Sequence, residues 1–326
     1  MRCLALFSGG LDAQIAVRMM QRQSIDVIGI YVQTPFTPPA EVATTAANRL
    51  GIDLQVVDWT TDYVKLLERP LFGFAQEMAP CLDCRIGMLQ RVQALMPTLD
   101  ASFVISGEVI GQRPSSLRSR DLETIAIHGG VDDLLLRPLS AQLLPPTLPE
   151  RNGWVDRSLL HAWQGRGRRE QLQIGSEWQL TSDRDNSTGC LLLEPTYASR
   201  LRKLLQQRPQ PTAWQLKSLR VGRHFGLNTT AHLVVARNSD EGSELTTLFD
   251  SAESGQAVLL QPTFRGPLAL LTGTIDEHSL SVAASLVAQF GKEVIPGEST
   301  IRLLGTTNDQ MVVPPLDHSQ LATSWK

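Results

Sequence analysis

The stretch that most constrains this chain is Leu4-Ala5-Leu6-Phe7-Ser8-Gly9-Gly10-Leu11-Asp12, where a short apolar run ends in a Ser-Gly-Gly turn. The run predicts a buried strand, and the turn predicts a helix opening close to Asp12. Two adjacent glycines let the backbone approach an anion closely, while the free N–H groups and positive dipole end of the helix point at the same spot. A phosphate-binding loop is therefore expected. A plain strand-to-helix connection is the other use of such glycines; the position directly behind the first strand and the presence of Asp12 favour phosphate. Two other glycine-rich phosphate loops do not fit, since no lysine follows as in Gly-Lys-Ser/Thr and no Gly-x-Gly-x-x-Gly opens the helix.

With 326 residues, the chain is long enough for two domains, each with its own core. Its formal net charge is −3, so a nucleic-acid partner would have to meet a local basic surface. Met1-Arg2-Cys3 runs straight into the first strand, with no charged and apolar leader and no apolar run of membrane-spanning length, so a cytoplasmic location without a membrane partner is expected. In that reducing compartment Cys3, Cys81, Cys84 and Cys190 are expected as ligands or reactants, not as a disulfide framework.

Along the chain, Ile15, Ala16, Met19 and Met20 predict a helix over residues 12–21, and the Val/Ile-rich run Asp26–Gln33 predicts a second strand. A helix through Val42, Ala46, Ala47 and Leu50, a strand at 54–57 and a helix through Tyr63, Leu66 and Leu67 follow. Such alternation builds a parallel sheet covered on both faces, with ligands beyond the carboxyl ends of its strands. The loop after Phe7 and residues 31–33 are expected to flank a nucleotide.

Pro80-Cys81-Leu82-Asp83-Cys84-Arg85 precedes a helical face made by Met88, Leu89, Val92 and Leu95. Both thiols are placed near a helix amino terminus beside Arg85, an arrangement expected to lower their pKa; the spacing lets two sulfurs face one metal, one cluster or each other. Half-buried structural cysteines are the plainer reading. A fourth strand at 103–105 runs into Ser106-Gly107-Glu108-Val109-Ile110-Gly111-Gln112, and a fifth at 134–136 ends at Arg137-Pro138-Leu139. Glu108 and Gln112 are candidates for the substrate side of the pocket, and Arg137 for holding phosphate or pairing with Asp132 or Asp133.

On these motifs the chain resembles the PP-loop ATP pyrophosphatases, whose Ser-Gly-Gly-x-Asp-Ser signature follows the first strand of a Rossmann-like fold. Ser8, Gly9, Gly10 and Asp12 keep the signature, while Ala13 stands where the family has a second serine, removing one phosphate hydrogen bond. Ser-Gly-Glu-x-x-Gly-Gln from Ser106 and the downstream Leu-Leu-Arg-Pro-Leu look like segments of the tRNA 4-thiouridine synthases; Pro-Cys-x-x-Cys is similar to the cysteine loop of tRNA thiolation enzymes more broadly. The resemblance implies an α/β fold, a Rossmann-like PP-loop (adenine nucleotide alpha-hydrolase-like) parallel sheet over residues 1–145. It implies ATP and Mg²⁺ as cofactors, with Ser8, Gly9, Gly10, Leu11, Asp12, Ala13, Gly107 and Gln112 around the nucleotide. It further implies an ATP-dependent tRNA sulfurtransferase that adenylates a base carbonyl, releases pyrophosphate and replaces the oxygen by sulfur. Asp12, Cys81, Cys84 and Cys190 would be the catalytic residues. Two ways of handling sulfur stay open: a persulfide on one cysteine resolved by another, or Cys81, Cys84 and Cys190 as ligands of a [4Fe-4S] cluster. The partners implied are tRNA and a sulfur donor, with a homodimer also open. A PP-loop enzyme acting on a small-molecule acceptor, and a non-catalytic RNA-binding protein on a degenerate PP-loop scaffold, are the other readings.

Pro145-Pro146-Thr147-Leu148-Pro149 ends the first domain and opens a connecting segment over 146–212. Arg166, Arg168 and Arg169, near Trp154, His161 and Trp163, are candidate RNA contacts outside the nucleotide-binding half, against the plainer reading of a solvated helix end. Cys190, in Ser187-Thr188-Gly189-Cys190, follows a glycine as a late cysteine does in tRNA thiolation enzymes. Beyond it, strand-like runs at 231–236, 258–260 and 268–271 and a helix over 280–290 predict a small α+β domain at 213–326, with the tail from Asn308 loosely held. Val-Gly-Arg-His-Phe followed by Leu-Val-Val-Ala-Arg-Asn resembles the RNA-binding segment of the NFACT family.

Overall fold

The computed structural model describes residues 1–113, 118–180, 189–253, 255–306, 310–313 and 323–324. It divides into two compact units, residues 1–193 and 194–326. Among the described residues no helix is long and apolar enough to cross a membrane.

The first unit runs β1 (Arg2–Leu6), α1 (Leu11–Gln21), β2 (Asp26–Gln33), α2 (Glu41–Leu50), β3 (Asp53–Asp58), α3 (Thr60–Glu68), α4 (Cys81–Leu95), β4 (Phe103–Ser106), α5 (Ser119–His128), β5 (Leu135–Leu136), α6 (Leu148–Arg151) and α7 (Arg169–Glu177). All five strands are parallel, in the order β3-β2-β1-β4-β5, a Rossmann-like sheet. Cys3, Ala5, Phe103 and Ile105 bury themselves against Ile15, Met19 and Ala43 in one core, while Leu4 and Val104, facing the other way, are also fully buried. Burial on both faces explains why these strands are continuously apolar instead of alternating. Chain order reverses between β1 and β4, which opens a crevice beyond their carboxyl ends.

The connecting segment expected over 146–212 divides between the two units. Trp154, Trp163, Ile174, Trp178 and Leu180 pack on the first unit's core, because aromatic and aliphatic groups of this size gain more from burial there than a solvated linker would give them.

The second unit runs α8 (Pro195–Gln207), α9 (Ala213–Ser218), β6 (Arg223–Gly226), β7 (His232–Val235), α10 (Ser239–Asp250), β8 (Ala257–Pro262), β9 (Ala269–Thr272), α11 (Glu277–Gln289), β10 (Thr300–Leu304), β11 (Gln310–Val312) and β12 (Thr323–Ser324). Its antiparallel sheet has the order β11-β10-β8-β9-β7-β6-β12. Leu233, Val258 and Leu271 face Ala283 and Val287 of α11, while Val234, Leu259 and Leu270 face Leu245 of α10. The tail, expected to be loosely held, contributes two strands: β11 pairs with β10 and β12 with β6, satisfying N–H and C=O groups that those strand edges would otherwise expose. Buried between β6 and β7, His224 and His232 are bonded ring to ring, Nδ1 to Nε2 at 2.9 Å, and His224 Nε2 lies 2.8 Å from the Val221 carbonyl. A carbonyl can only accept, so His224 carries its proton on Nε2 and takes one from His232 on Nδ1.

Candidate active site

The site is built at the crevice between β1 and β4. Phe7 N–H donates to the Ile30 carbonyl at 2.9 Å, after which Ser8, Gly9 and Gly10 turn the chain into α1. Gly9 has φ +76, and a Cβ there would lie 2.9 Å from the Ala43 Cα, so the turn needs glycine for conformation and for space. Gly10 caps α1 with no side-chain hydrogen bond, leaving the first-turn N–H groups for an anion. The loop after β4 lies directly on this turn: a Cβ on Gly107 would sit 2.6 Å from the Ala13 nitrogen and the Asp12 carbonyl carbon. Gln112 Nε2 donates to Asp12 Oδ2 at 2.8 Å. Asp12 Oδ1 is buried with no hydrogen bond, its nearest cation being Arg168 at 3.9 Å.

A cavity of about 740 Å³ opens from this turn. Ser8, Gly10, Leu11, Asp12, Ala13, Gly107 and Gln112 line it, as do Tyr31 and Val32 from the end of β2; Gly9 does not, and serves the turn. Cys81, Cys84 and Cys190 line the same cavity. The first two sit on the opening turn of α4, where Cys84 N–H donates to the Pro80 carbonyl at 2.8 Å. Cys190 arrives on a segment held by two backbone bonds, Leu191 N–H to Phe36 O at 3.1 Å and Met78 N–H to Leu192 O at 3.3 Å. Ser187 and Thr188 lie outside the described residues.

Cys84 is not activated in the way its place on the helix suggests. Burial pushes the Cys84 thiol up to about 12, more than the Tyr63 hydrogen bond and the Arg85 charge bring it down. Burial also raises Cys190, against a backbone hydrogen bond from Leu192 and the charges of Arg113 and Arg85. Arg85 is a weak activator because its Nε donates to Glu108 Oε1 at 2.7 Å, so its charge is largely neutralised. Among the described residues no group of three His, Cys, Asp or Glu side chains is already arranged to hold a metal ion. Cys81, Cys84 and Cys190 share one cavity.

Glu108 bridges two arginines: Arg85 on one oxygen, and on the other Arg137 Nε at 2.9 Å with Ser106 Oγ at 3.1 Å. Burial pushes the Glu108 carboxyl up, but the charges of Arg137 and Arg85 more than offset it and hold it below the usual range. Arg137, a candidate partner of phosphate or of Asp132 or Asp133, is instead taken up by Glu108 and by the Leu122 carbonyl, while Asp133 pairs with Arg151 at 2.7 Å. Arg166 and Arg168, expected outside the nucleotide-binding half, line the same cavity as Ser8 and Asp12; Arg169 opens α7 and does not line it.

Tyr63 and Arg113 also line the cavity and carried no sequence signal. Tyr63 is fully buried, its hydroxyl hydrogen-bonded to Cys84 and its ring packed against Phe36 and Trp59 at 5.4 and 4.8 Å. In the sequence it is one more apolar position on a helix.

Residues 1–142 match the family model of the thiamine biosynthesis protein ThiI, and residues 222–326 match that of the NFACT protein RNA binding domain. A probable tRNA sulfurtransferase of Methanothermobacter thermautotrophicus is 27% identical over 146 residues, covering 42% of this chain and 36% of that protein. The chain thus spans about a third of the length of this curated relative. Among solved structures, a 4-thiouridine synthetase in complex with RNA and bound ATP aligns at 18% identity and TM-score 0.41, over 67% of this chain and 52% of that one. A predicted subunit of tRNA methyltransferase from Methanocaldococcus jannaschii aligns at 16% identity and TM-score 0.33, over 42% of this chain and 69% of that one. The C-terminal part of the fibronectin/fibrinogen-binding protein of Streptococcus suis aligns at 13% identity and TM-score 0.25, over 47% and 76%. The chain resembles the PP-loop tRNA thiolation enzymes over residues 1–142 and the NFACT RNA-binding domain over residues 222–326.

Proposed function

We propose that this chain is an ATP-dependent tRNA sulfurtransferase acting in the cytoplasm. One observation carries the reading: a phosphate-type loop at the sheet's switch point, the neighbouring Cys81 and Cys84, and the distant Cys190 line a single cavity. The ThiI match and the similarity to a tRNA sulfurtransferase support the same chemistry, and the NFACT match supports RNA engagement by the second unit.

ATP would supply activation of a poor leaving group. A base carbonyl oxygen attacks the α-phosphorus, the bond to the β-phosphate oxygen breaks, and pyrophosphate leaves. Ser8, Gly10 and the first-turn N–H groups of α1 hold that leaving group, and Asp12 Oδ1, which lacks a hydrogen-bond partner, is the oxygen suited to Mg²⁺. For the sulfur step we propose the persulfide route, with one of the three cavity-lining cysteines carrying the persulfide and a second resolving it. The terminal sulfur of a cysteine persulfide attacks the base carbon, and AMP departs with the former carbonyl oxygen. A second cysteine thiolate then attacks the cysteine sulfur of the resulting base–S–S–Cys bridge. That leaves thiocarbonyl on the base and an enzyme disulfide for an external thiol reductant to reopen.

The test is product analysis with ATP, Mg²⁺ and tRNA. AMP and pyrophosphate are expected, and Asp12→Ala is expected to abolish both. ADP and orthophosphate without AMP would refute the assignment, while pyrophosphate release that needs a metabolite and no RNA would move the reading to a small-molecule acceptor.

A further inference from the structure

The cavity needs cations where the nucleotide's phosphates would lie, and the PP-loop itself supplies none. No lysine is among the described residues that line it, and Arg85 is taken up by Glu108. The remaining arginines fall into two places. Arg113 interacts electrostatically with Cys81 and Cys190, at the thiol end. Arg166 and Arg168 come from a segment outside the ThiI-like residues, which end at 142.

Delivery of that segment is built in. Gln164 forms a parallel bridge with Ile110, in the loop after β4, and Gly165 N–H donates to the Ile110 carbonyl at 2.7 Å. The buried Ser140 hydroxyl ties both sides, accepting from Ile110 N–H at 3.1 Å and donating to the Trp163 carbonyl at 2.6 Å. The chain directly after this clamp brings the Arg168 guanidinium within 3.9 Å of Asp12 Oδ1, too long for a hydrogen bond but close enough for the charges to hold each other. Arg166 makes no hydrogen bond or ion pair among the described residues.

We infer that Arg166 and Arg168 are phosphate-binding residues for the pyrophosphate portion of a nucleoside triphosphate, supplied by a segment clamped onto the β4 loop, with Arg168 resting on Asp12 until the nucleotide arrives. The inference rests on the ATP reading above and names residues that reading does not use. Arg168 turns from Asp12 to the β- and γ-phosphate oxygens, which opens the surroundings of Asp12 Oδ1 to a divalent cation while Gln112 keeps its bond to Oδ2. No covalent step is involved.

Calorimetric titration of the full-length chain with ATP in Mg²⁺, with adenosine and with inorganic pyrophosphate tests this. Arg168→Ala is expected to weaken ATP and pyrophosphate at least about tenfold, the scale of a lost charge-assisted hydrogen bond, while leaving adenosine unchanged. Arg166→Ala is expected to act in the same direction, Arg168→Lys to recover part of the loss, and Arg169→Ala, which does not line the cavity, to bind like the parent. A parent that binds ATP while both alanine variants bind it equally well overturns the inference alone, as does an equal loss of adenosine and ATP. A parent that binds no ATP overturns the nucleotide reading, and this inference with it.

Discussion

Replacing Glu108 by Gln isolates the charge cluster beneath the candidate site. The substitution keeps the shape and an acceptor oxygen but removes the anion that Arg85 and Arg137 share. The three side chains are 18%, 11% and 6% exposed for Arg85, Glu108 and Arg137, so neither cation can recover its lost partner from water. Breaking a buried pair by removing one partner costs about 3–5 kcal/mol. For a unit of this size that is a fall in melting temperature of roughly 6–20 °C. Arg151→Ala is the internal control: it breaks the Arg151–Asp133 pair, 47% and 48% exposed, and is expected to cost under about 1 kcal/mol. The pH dependence has a definite sign. The folded Glu108 carboxyl titrates below its unfolded value, so its contribution is complete above the ordinary glutamate range and is lost as pH falls through the folded pKa. A second readout links the cluster to the thiols, because Arg85 without its anion would pull Cys84 down and speed its alkylation at alkaline pH. Thermal unfolding of the full chain, with iodoacetamide kinetics on Cys84, measures both. Melting of Glu108→Gln within a degree of Arg151→Ala, with unchanged alkylation, would refute the idea that the cluster is electrostatically coupled.

Burial holds His232 down at about 3, and burial with the nearby charges of His232 and Arg200 holds His224 well below the usual value. The unfolded chain takes up those protons first, so stability is full above about pH 6.5 and falls by roughly 1.4 kcal/mol per pH unit for each ring below it. Urea unfolding followed by fluorescence at several pH values reads this, and a stability that stays flat from pH 6.5 to 5 contradicts it. Gly107→Ala places a methyl against the Asp12–Ala13 backbone and is expected to cost about 1–3 kcal/mol and to abolish ATP binding, read by melting and titration. Tyr63→Phe removes the hydroxyl bonded to Cys84; the pH profile of Cys84 alkylation is expected to move upward with the fold intact, and an unmoved profile counts against the contact.

Much of the first unit was legible because its signals are local. Apolar runs gave β1 to β4 within a residue or two, and Ser8-Gly9-Gly10 marked the turn, since glycine need and helix opening are written in adjacent residues. What stayed hidden depends on who neighbours whom. Arg137 offered nearby aspartates in sequence, whereas the fold supplies Glu108, 29 residues away. Arg85 and the helix terminus suggested activated thiols, but desolvation is a property of the packed cavity. The arginines at 166 and 168 read as candidate RNA contacts outside the nucleotide-binding half, because nothing local shows that Gln164 will pair with Ile110 and bring them to the cavity. In the second unit, the short β11 and β12 carry too few residues to show a period, and they form because β10 and β6 offer open edges.

The most direct test of the central claim is mass spectrometry of tRNA nucleosides from cells with the gene removed and then restored. The account predicts that one thionucleoside disappears on removal and returns with the parent chain but not with Asp12→Ala or with Cys190→Ser. A complete and unchanged set of thionucleosides in the cells lacking the gene would contradict it.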